Sequence, residues 1–328
     1  MKSAPLVSVI IPTYNRAAVV GAAIESVLDQ TYRDFEVIVV DDGSTDETPA
    51  TLNRYADRIR VVRQTNAGAA AARNRGIAAS RSALIAFQDS DDLWLPHKLE
   101  RQVALMQRAG PLVPCCLSNI ALGPRSKSRT TFDLAQIHSP FEAGLWLNVA
   151  EVLATRFVLF NQAVLIRRAA LDKVGVFDSG LKYLEDYDLP LRLALEGPWA
   201  FIREPLVIYR EGAQNSYSQQ ALRDPITLKD CELRIFTDIL ERLRKQGGDP
   251  AVEWQLEHRL RVFRRGRFIA KLLCRPAAAR VLGKILWSLD HSYFALFRRS
   301  PWYPEAITRL VTQAPAPECK PDMASAVS

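Results

Sequence analysis

The stretch Phe35-Glu36-Val37-Ile38-Val39-Val40-Asp41-Asp42 decides the fold, because it joins a predicted strand directly to a pair of carboxylates. Short apolar, β-branched runs of this kind are typical of buried strands in a parallel sheet. Residues 83–87 form a second such run, and Asp89, Asp91 and Asp92 follow it. Open α/β sheets bind ligands outside the carboxyl ends of their strands, so both acidic clusters are expected at one site. Carboxylates packed there would repel one another without a cation, which predicts a divalent metal that holds a diphosphate.

The segments around these strands alternate between strand and helix patterns. The first run, residues 6–11, leads into Pro12-Thr13-Tyr14-Asn15-Arg16, where the proline is predicted to end the strand. Helices over 19–28, 48–56 and 69–79 and a strand over 59–62 complete two βαβ units. The sequence therefore predicts an α/β fold built on a parallel sheet.

Length and composition fit one large α/β domain with an extension. The chain has 328 residues, of which 48% are apolar, and this is ample for a sizeable core and too high for disorder. No apolar run approaches the roughly 18 to 20 residues of a transmembrane helix, and the first strand begins too early for a signal peptide to precede it. The five cysteines have no metal-ligand spacing, so a reduced, cytoplasmic setting is expected.

Five motifs occur in an order that resembles a known family. They are Pro12-Thr13-Tyr14-Asn15-Arg16, Asp41-Asp42-Gly43-Ser44-Thr45-Asp46, Asn66-x-Gly68-x-x-x-Ala72-Arg73-Asn74-x-Gly76, Asp89-Ser90-Asp91-Asp92, and Glu185-Asp186. Together they resemble the family 2 glycosyltransferases with the GT-A fold, over about residues 5–215. The resemblance implies a GT-A, Rossmann-like nucleotide-diphospho-sugar transferase domain, predicted over 1–218, with a C-terminal helical region over 219–312 and a disordered tail over 313–328.

The resemblance implies an inverting transferase, in which an acceptor hydroxyl displaces a nucleoside diphosphate from the anomeric carbon of a sugar. The implied partners are a nucleotide-sugar donor, in particular a UDP-sugar, and a saccharide or lipid-linked acceptor of cell-surface polysaccharide or glycolipid synthesis. Mn²⁺ or Mg²⁺ is the implied cofactor, because a hard cation binds one or two carboxylates and leaves other positions for phosphate oxygens.

Residues at the strand ends receive donor-side roles from the resemblance. Aromatic and proline side chains would flank the base, carboxylates would meet the base and ribose, and an arginine would approach the nucleotide or its phosphates. A turn residue at Asp42 and a surface arginine at Arg73 are the structural alternatives. The implied nucleotide-sugar-binding residues are Pro12, Tyr14, Asp41, Asp42, Arg73 and Asp91.

The turn Asp89-Ser90-Asp91-Asp92 resembles the family's metal motif. By that resemblance Asp92, or Asp91 beside it, contacts the metal. The structural alternative is a solvated acidic turn that caps a helix starting near Pro96.

Glu185 and Asp186 match the family's acceptor-side pair. Asp186 would act as the general base, and Glu185 would orient the acceptor or the loop; the alternative is that acidic residues simply favour a helix N-terminus. Pro190 favours a helix that starts after Asp186, which would leave both carboxylates on a loop. Two further strands are expected, over 157–166 and, as the last edge strand, over 206–210.

The C-terminal third differs in character. An amphipathic helix is predicted over 227–246, with further helices over 252–297. Between Arg259 and Arg299 stand eleven Lys or Arg residues and one acid, with aromatic and aliphatic residues among them. These helices would either lie on an anionic membrane surface, peripherally on its inner face, or pack on the catalytic domain with their arginines solvated.

Two other functions compete with glycosyl transfer. A nucleotidyltransferase or another Mg²⁺-dependent nucleotide-binding transferase could also use paired aspartates, but it would want a Gly-rich, Lys-containing phosphate loop, and none follows the first strand. A nucleic-acid-binding protein could explain the net charge of +7. That charge is concentrated in apolar helices without a recognisable binding module, so no nucleic-acid partner is expected.

Overall fold

The computed structural model describes residues 4–123, 129–156, 161–210, 221, 223–273 and 312–313. Its strands form one mixed sheet in the order β10-β7-β9-β6-β8-β4-β1-β2-β3, and β5 pairs with β9. The strands are β1 (Val7–Thr13), β2 (Phe35–Asp41), β3 (Arg60–Arg63), β4 (Leu84–Phe87), β5 (Leu93–Trp94), β6 (Cys115–Ala121), β7 (Ala143–Trp146), β8 (Val164–Arg167), β9 (Trp199–Ile208) and β10 (Thr312–Gln313).

Helices pack against the sheet, and two long helices follow its last long strand in the sequence. A short 3-10 turn, Asn161–Ala163, precedes β8. The α-helices are α1 (Val20–Leu28), α2 (Thr48–Asn53), α3 (Ala69–Ala79), α4 (Lys98–Ala109), α5 (Thr131–Leu134), α6 (Val149–Leu153), α7 (Arg168–Val174), α8 (Glu185–Ala194), α9 (Pro225–Lys245) and α10 (Pro250–Leu273).

The first half of the sheet is the predicted pair of βαβ units. Strands β3, β2, β1 and β4 run parallel as neighbours, and the residues of β1 are buried throughout. Burial on both faces explains why these strands are continuous apolar runs instead of alternating patterns. Their carboxyl ends meet at one edge, as the acidic clusters predict.

Pro12 does not end the first strand, which corrects that prediction. It lies inside β1 and pairs with Val40 in the parallel register. Two residues earlier, the carbonyl of Ile10 accepts the N–H of Gln88 on the β4 side. Because backbone groups two residues apart face the same neighbour, the nitrogen of Pro12 faces the side where β4 has already ended. The missing N–H therefore costs no ladder hydrogen bond.

The second half of the sheet is mixed, and two strand predictions for it are wrong in detail. Residues 157–160 lie outside the described part, but the segment that follows is the turn Asn161–Ala163, with the strand beginning only at Val164. The strand predicted over 206–210 is the end of the ten-residue β9. It is an interior strand, since β9 pairs with β6 on one side and β7 on the other.

The helices α9 and α10 share the hydrophobic core of the α/β domain. Cys231, Ile235, Ile239 and Leu243 on α9 are buried, as the amphipathic pattern predicts. Phe236 packs edge-on against Tyr187 of α8, with ring centroids 5.6 Å apart. The described parts of these helices therefore bury their apolar faces on the α/β domain, and the predicted helices beyond 273 lie outside the described residues.

Two residues of the C-terminal segment extend the sheet, so Gln313, which was predicted to begin the disordered tail, lies in a strand, while residues 314–328 lie outside the described part of the chain. Thr312 and Gln313 pair antiparallel with Trp146 and Leu145 of β7. A Cβ atom on Gly144 would collide with the carbonyl oxygen of Gln313, so glycine at this position permits the close approach. No helix in the described part of the chain combines the length and the apolar character that a membrane span requires.

Candidate active site

Two loops, one after β1 and one after β2, are joined by side chains at the carboxyl edge of the parallel strands. Asn15 adopts a left-handed backbone, φ 51°, and its side-chain oxygen accepts the N–H of Thr45 at 2.8 Å. Ser44 Oγ accepts the N–H of Asn15 at 3.0 Å. Tyr14 is 44% exposed. The loop that carries it is held in place by these hydrogen bonds of Asn15 to Ser44 and Thr45.

Asp41 and Asp42 are both buried. Carboxylates are rarely buried unless they are paired, and both of these have hydrogen-bond partners. Asp41 Oδ1 accepts the N–H of Ser44 at 3.0 Å, and Arg63 Nε lies 3.8 Å from Asp41 Oδ2. The Asp41 carboxylate thus shapes the turn after β2 and has an exposed arginine beside it.

The Asp42 carboxylate fixes the segment that leads into α3. One of its oxygens accepts the N–H of Ala67 at 2.9 Å and a side-chain N–H of Gln64 at 2.7 Å. The other accepts the N–H of Gly68 at 2.8 Å. Since a carboxylate offers about four lone-pair sites, roughly one remains for a ligand. Gly43 completes the turn with φ 79°, and a Cβ there would lie 2.9 Å from the backbone nitrogen of Asn66.

The acidic turn after β4 leads into the short strand β5, and α4 begins only at Lys98. Asp92 is 1% exposed. Its Oδ2 accepts from Gln162 Nε2 at 3.1 Å, and its Oδ1 accepts the backbone N–H of Arg210 at 2.9 Å. Asp92 is thereby held from two sides, whereas Asp89 and Asp91 are partly exposed. The turn does not cap a helix near Pro96.

The electrostatics of this turn suit a bound cation. Burial, with the nearby charges of Asp89 and Asp91, raises the pKa of Asp92 to about 8. Burial and the charge of Asp89 also raise the pKa of Asp91, although Arg16 opposes this with its Nε 3.9 Å from Asp91 Oδ2. A divalent cation would remove the repulsion that disfavours both charged forms.

The donor set fits a cation that takes few protein ligands. Within the described residues, no group of three or more His, Cys, Asp or Glu side chains forms a metal cage. Mg²⁺ and Mn²⁺ accept one or two carboxylates and complete their shell with phosphate oxygens and water. Asp92 and Asp91 therefore fit such an ion together with a diphosphate.

Arg73 of α3 connects the acidic turn to the start of α8. It is 5% exposed, and its Nη2 lies 2.8 Å from Asp89 Oδ1 while its Nη1 lies 3.1 Å from Glu185 Oε1. Burial acts against its charge, but Asp89 and Glu185 outweigh burial and raise the pKa of Arg73. Its guanidinium also stands 5.4 Å from the ring centroid of Phe177. Arg73 is thus an internal ion-pair bridge and not a surface arginine.

The helix α8 begins at Glu185, so the prediction that Pro190 would leave Glu185 and Asp186 on a loop is wrong. The preceding residue, Leu184, has the left-handed conformation φ 68°, ψ 25°, and this turns the chain sharply into the helix. Such a conformation costs about 1 kcal/mol or more for a residue with a Cβ. Pro190 is accommodated in the sixth position of the helix, where it is buried.

Asp186 lies in the first turn of α8 and is partly exposed. Desolvation of its carboxyl group by burial, together with the charge of Glu185, raises the pKa of Asp186 to about 7, while the positive charge of Arg73 lowers it. A partly exposed carboxylate with a raised pKa, beside a buried ion-pair bridge, has the properties of a general base.

Asp188 and Arg192 hold α8 to the segment before it. Arg192 Nη2 pairs with Asp188 Oδ2 at 2.6 Å, and the same guanidinium donates to the carbonyls of Val174, Gly175 and Val176. Both residues are buried, so this pair supports the site from behind without facing a ligand.

Sequence reasoning missed the residues that hold the acidic turn after β4. Gln88 donates to the carbonyl of Asp92 at 2.6 Å, and Gln162 orients the Asp92 carboxylate. Asn161 lies beside Arg73 and accepts from both of its Nη atoms at 3.3 Å when its oxygen faces the guanidinium. The polar Gln88 at the end of an apolar run was the one signal in the sequence that could have pointed to these residues.

Solved structures of other proteins share this fold. The chain superposes on S. aureus TarS in complex with UDP-GlcNAc with a TM-score of 0.59 and 22% identity, covering 80% of this chain and 72% of that one. It also superposes on the mannosyltransferase PcManGT from Pyrobaculum calidifontis in complex with GDP-Man and Mn²⁺, with a TM-score of 0.55 and 18% identity over 94% and 84% of the two chains. The predicted GT-A fold is confirmed.

Curated relatives are named as glycosyltransferases. An uncharacterized glycosyltransferase of Rickettsia prowazekii is 33% identical over 188 residues, which is 56% of this chain and 57% of the relative, so the match spans little more than half of that protein. The putative teichuronic acid biosynthesis glycosyltransferase TuaG of Bacillus subtilis is 39% identical over 140 residues, which is 42% of this chain and 54% of TuaG. The family model of glycosyl transferase family 2 matches residues 8–173, half of the chain, and includes both acidic clusters and Arg73. The chain therefore belongs to glycosyl transferase family 2.

Proposed function

We propose that the protein is an inverting glycosyltransferase that moves a sugar from a nucleoside diphosphate sugar to an acceptor hydroxyl. The observation that carries the proposal is the Arg73 bridge, with Nη2 2.8 Å from Asp89 in the acidic turn and Nη1 3.1 Å from Glu185 beside Asp186. One guanidinium thus connects a site suited to a diphosphate with a carboxylate suited to proton removal, and a displacement reaction needs both.

The donor would lie at the carboxyl edge of β1, β2 and β4. Tyr14 and Pro12 would border the base, and Asp41 and the remaining lone pair of Asp42 would accept N–H or O–H groups of the base and ribose. Arg16 and Arg63, with their long ion pairs to Asp91 and Asp41, have guanidinium groups available for phosphate or ribose oxygens.

Asp92, with Asp91 beside it, would hold Mn²⁺ or Mg²⁺. When bound, such an ion supplies positive charge that stabilises the departing diphosphate. Gln162 and the backbone N–H of Arg210 keep the Asp92 carboxylate in one orientation for that role. Arg73 is committed to two carboxylates, so its proposed contribution is to position the turn and not to contact the nucleotide.

Asp186 would take the proton from the acceptor hydroxyl. The acceptor oxygen forms a bond to the anomeric carbon, the bond from that carbon to the diphosphate oxygen breaks with its electron pair, and the proton moves to the Asp186 carboxylate. Glu185 faces Arg73, so it would act by holding the start of α8 and by keeping the pKa of Asp186 raised.

The donor and acceptor classes are proposed from the relatives. TarS was solved with UDP-GlcNAc and PcManGT with GDP-Man and Mn²⁺; we favour a UDP-sugar because the remaining acceptor site of the Asp42 carboxylate could accept the ring N–H of uracil. TuaG is named for teichuronic acid biosynthesis, which supports a cell-surface saccharide or lipid-linked acceptor.

A membrane-bound acceptor would agree with the surface of α10. Arg261, Arg264 and Lys271 are exposed there, together with Phe268, which is 59% exposed. A basic helical face with an aromatic side chain favours contact with anionic lipid. We therefore propose peripheral association through this face, on the inner leaflet, where anionic lipids and nucleotide sugars meet.

A panel of UDP- and GDP-sugars, each with Mn²⁺ and with EDTA, tests the proposal. Mass spectrometry would follow hydrolysis or transfer, and calorimetry would follow binding of UDP and GDP. Metal-dependent consumption of at least one nucleotide sugar is expected. Binding of nucleoside triphosphate with pyrophosphate release, and no sugar release, would instead identify a nucleotidyltransferase.

A further inference from the structure

The segment 177–184, which precedes the proposed base Asp186, is held by two different parts of the molecule. Its beginning is fixed by the α/β domain: Asn74 of α3 exchanges two hydrogen bonds with the backbone of Phe177, at 2.8 and 3.0 Å. Its second half, residues 178–184, contacts the first turns of α9. This half ends at the left-handed Leu184, immediately before α8.

Two side chains of the α9 region hold that second half. Arg234 pairs with Asp178 through Nη2 and donates from Nη1 to the carbonyl of Gly180 at 3.2 Å. Asp224, the N-cap residue of α9, accepts from Lys182 Nζ at 2.8 Å and from the hydroxyl of Tyr183 at 3.5 Å. These contacts bracket the segment only a few residues before Asp186.

The same contacts are poor candidates for a purely stabilising role. The side chains of Arg234 and Asp178 are 49% and 34% exposed, and those of Lys182 and Asp224 are 61% and 33% exposed. Exposed ion pairs add little to the free energy of unfolding. Their geometric effect is larger, because they fix the backbone at a point where the chain must enter the left-handed conformation of Leu184.

We infer that Asp224 and Arg234 are positioning residues, through which the C-terminal helix α9 holds residues 178–184 and so presents Asp186 to the acceptor. The C-terminal region is then part of the transfer machinery. The inference rests on the proposed role of Asp186 as base. Since reacting groups lose about 10²-fold in rate when displaced by roughly 1 Å, loosening this segment should lower the transfer rate constant.

Two variants separate positioning from folding. Arg234→Ala removes both contacts to the segment. Asp224→Asn keeps a side chain that caps α9 through the N–H of Thr227, because Asn and Asp cap equally well, but it loses the charge that attracts Lys182. Arg244→Ala is the matched control, since it removes exposed ion pairs from the same helix that reach Glu253 and Glu257 of α10 instead.

The measurements are kcat, the donor KM, the pH profile of kcat and the melting temperature. We expect kcat to fall about 10-fold in Arg234→Ala and about 3-fold in Asp224→Asn, with donor KM within about 2-fold of wild type. The acid limb of the pH profile should move, since the pKa of Asp186 depends on its distance from Glu185 and Arg73. Arg244→Ala should match wild type in kcat and in the pH profile.

A charge exchange provides the rescue. The double variant Asp178→Arg with Arg234→Asp recreates the pair in the opposite sense and should recover most of the kcat lost in Arg234→Ala. Wild-type kcat and pH profile in both single variants, or an equal loss in Arg244→Ala, would overturn the inference.

Asp186→Asn, assayed in the same series, distinguishes the two possible failures. Full activity of Asp186→Asn would refute the proposed base itself. An inactive Asp186→Asn together with unaffected Arg234 and Asp224 variants would leave the proposed function intact and refute only the role of α9.

Discussion

The carboxyl group of Asp186 has three charged neighbours within electrostatic reach, namely Glu185, Asp89 and Arg73. If it is the base, Asp186→Asn should lower kcat by roughly 10²-fold or more, because the amide keeps the size of the side chain but cannot accept the proton. Donor affinity should change little. Titration calorimetry with the donor nucleotide and single-turnover transfer rates test the two halves separately, and a collapse of donor affinity with an intact rate constant would make Asp186 a binding residue.

The pH dependence of transfer follows from the same neighbours. Asp186 must be deprotonated to act, and its pKa is raised from 3.8 to about 7, so kcat should rise with pH through the neutral range and not near pH 4. Arg73 lowers this pKa. Arg73→Gln should therefore move the acid limb to higher pH, while Arg73→Lys should hold it nearer its original position. A limb that stays at one pH in all three proteins would assign it to another group.

Lys98 is a separate residue-scale case, because it is buried without a carboxylate. Its Nζ lies 2.8 Å from Gln102 Oε1 and 3.9 Å from the ring centroid of Trp94. Burial lowers its pKa from 10.5 to about 7. Between those two pH values the unfolded chain binds the proton and the folded protein does not, so stability should rise with pH across that window.

Lys98→Met should remove this rise, because methionine does not titrate. At pH 7 the variant should also be the more stable protein, although Gln102 loses one partner at a cost of about 1–3 kcal/mol. Urea unfolding of both proteins at several pH values between 7 and 10 gives the slopes. If the free energy of unfolding changes with pH equally in wild type and Lys98→Met, Lys98 keeps its charge in the folded state.

At the scale of elements, the acidic turn between β4 and β5 should limit the stability of the metal-free protein. The pKa of Asp92 is raised to about 8, so the folded protein binds this proton better than the unfolded chain does. Stability should then fall as pH rises from about 4 to about 8. Asp92→Asn should flatten that fall and melt higher than wild type at pH 8 in EDTA.

The same substitution should abolish the stabilisation that Mn²⁺ and UDP give together. Wild type should melt several degrees higher with both than with EDTA, and Asp92→Asn should not. Thermal melts of the two proteins with each ligand alone and with both are sufficient. An unchanged response to Mn²⁺ with UDP in the variant would remove Asp92 from the metal site.

Local sequence patterns predicted the elements whose limits are set by nearby residues. They failed for elements whose limits or position depend on contacts with distant residues. The helix Ala69–Ala79 was predicted at its true limits, because Gly68 and Ser80 mark its ends. Pro12 inside β1 was misjudged, since the cost of a proline in a sheet depends on whether a partner faces its nitrogen. Pro190 was also misjudged, because α8 continues through it although a proline inside a helix removes one intrahelical hydrogen bond. The position of β9 inside the sheet depends on β7, whose pairing carries no local signal. The acidic clusters were found from spacing alone, but the Arg73 bridge joins residues 112 positions apart.

At the scale of the whole molecule, the two C-terminal helices cannot be removed without exposing core. Phe236 of α9 contacts both Tyr187 and Phe263 at ring distances of 5.6 and 4.9 Å, and Leu256 and Leu260 of α10 are also buried. A chain cut near residue 218 would lose these contacts and should aggregate. Truncation therefore cannot decide whether the helices bind membrane, and charge reversal on the exposed face is the better test.

That face lies on α10, where no acid occurs between Glu257 and the end of the helix at Leu273. Full-length protein should bind phosphatidylglycerol vesicles at low salt and release them as salt rises, because the screening length falls to about 8 Å at 0.15 M. Arg264→Glu with Lys271→Glu should weaken binding by about 30-fold or more, since each basic residue near an anionic surface contributes about 1 kcal/mol. Arg54→Glu with Arg81→Glu makes the same change of charge at exposed residues that follow α2 and α3, and should bind nearly as wild type. Equal weakening in both double variants would indicate a net-charge effect only. No binding of the wild-type chain to phosphatidylglycerol at low salt would mean that the apolar faces of these helices are fully used in packing on the catalytic domain.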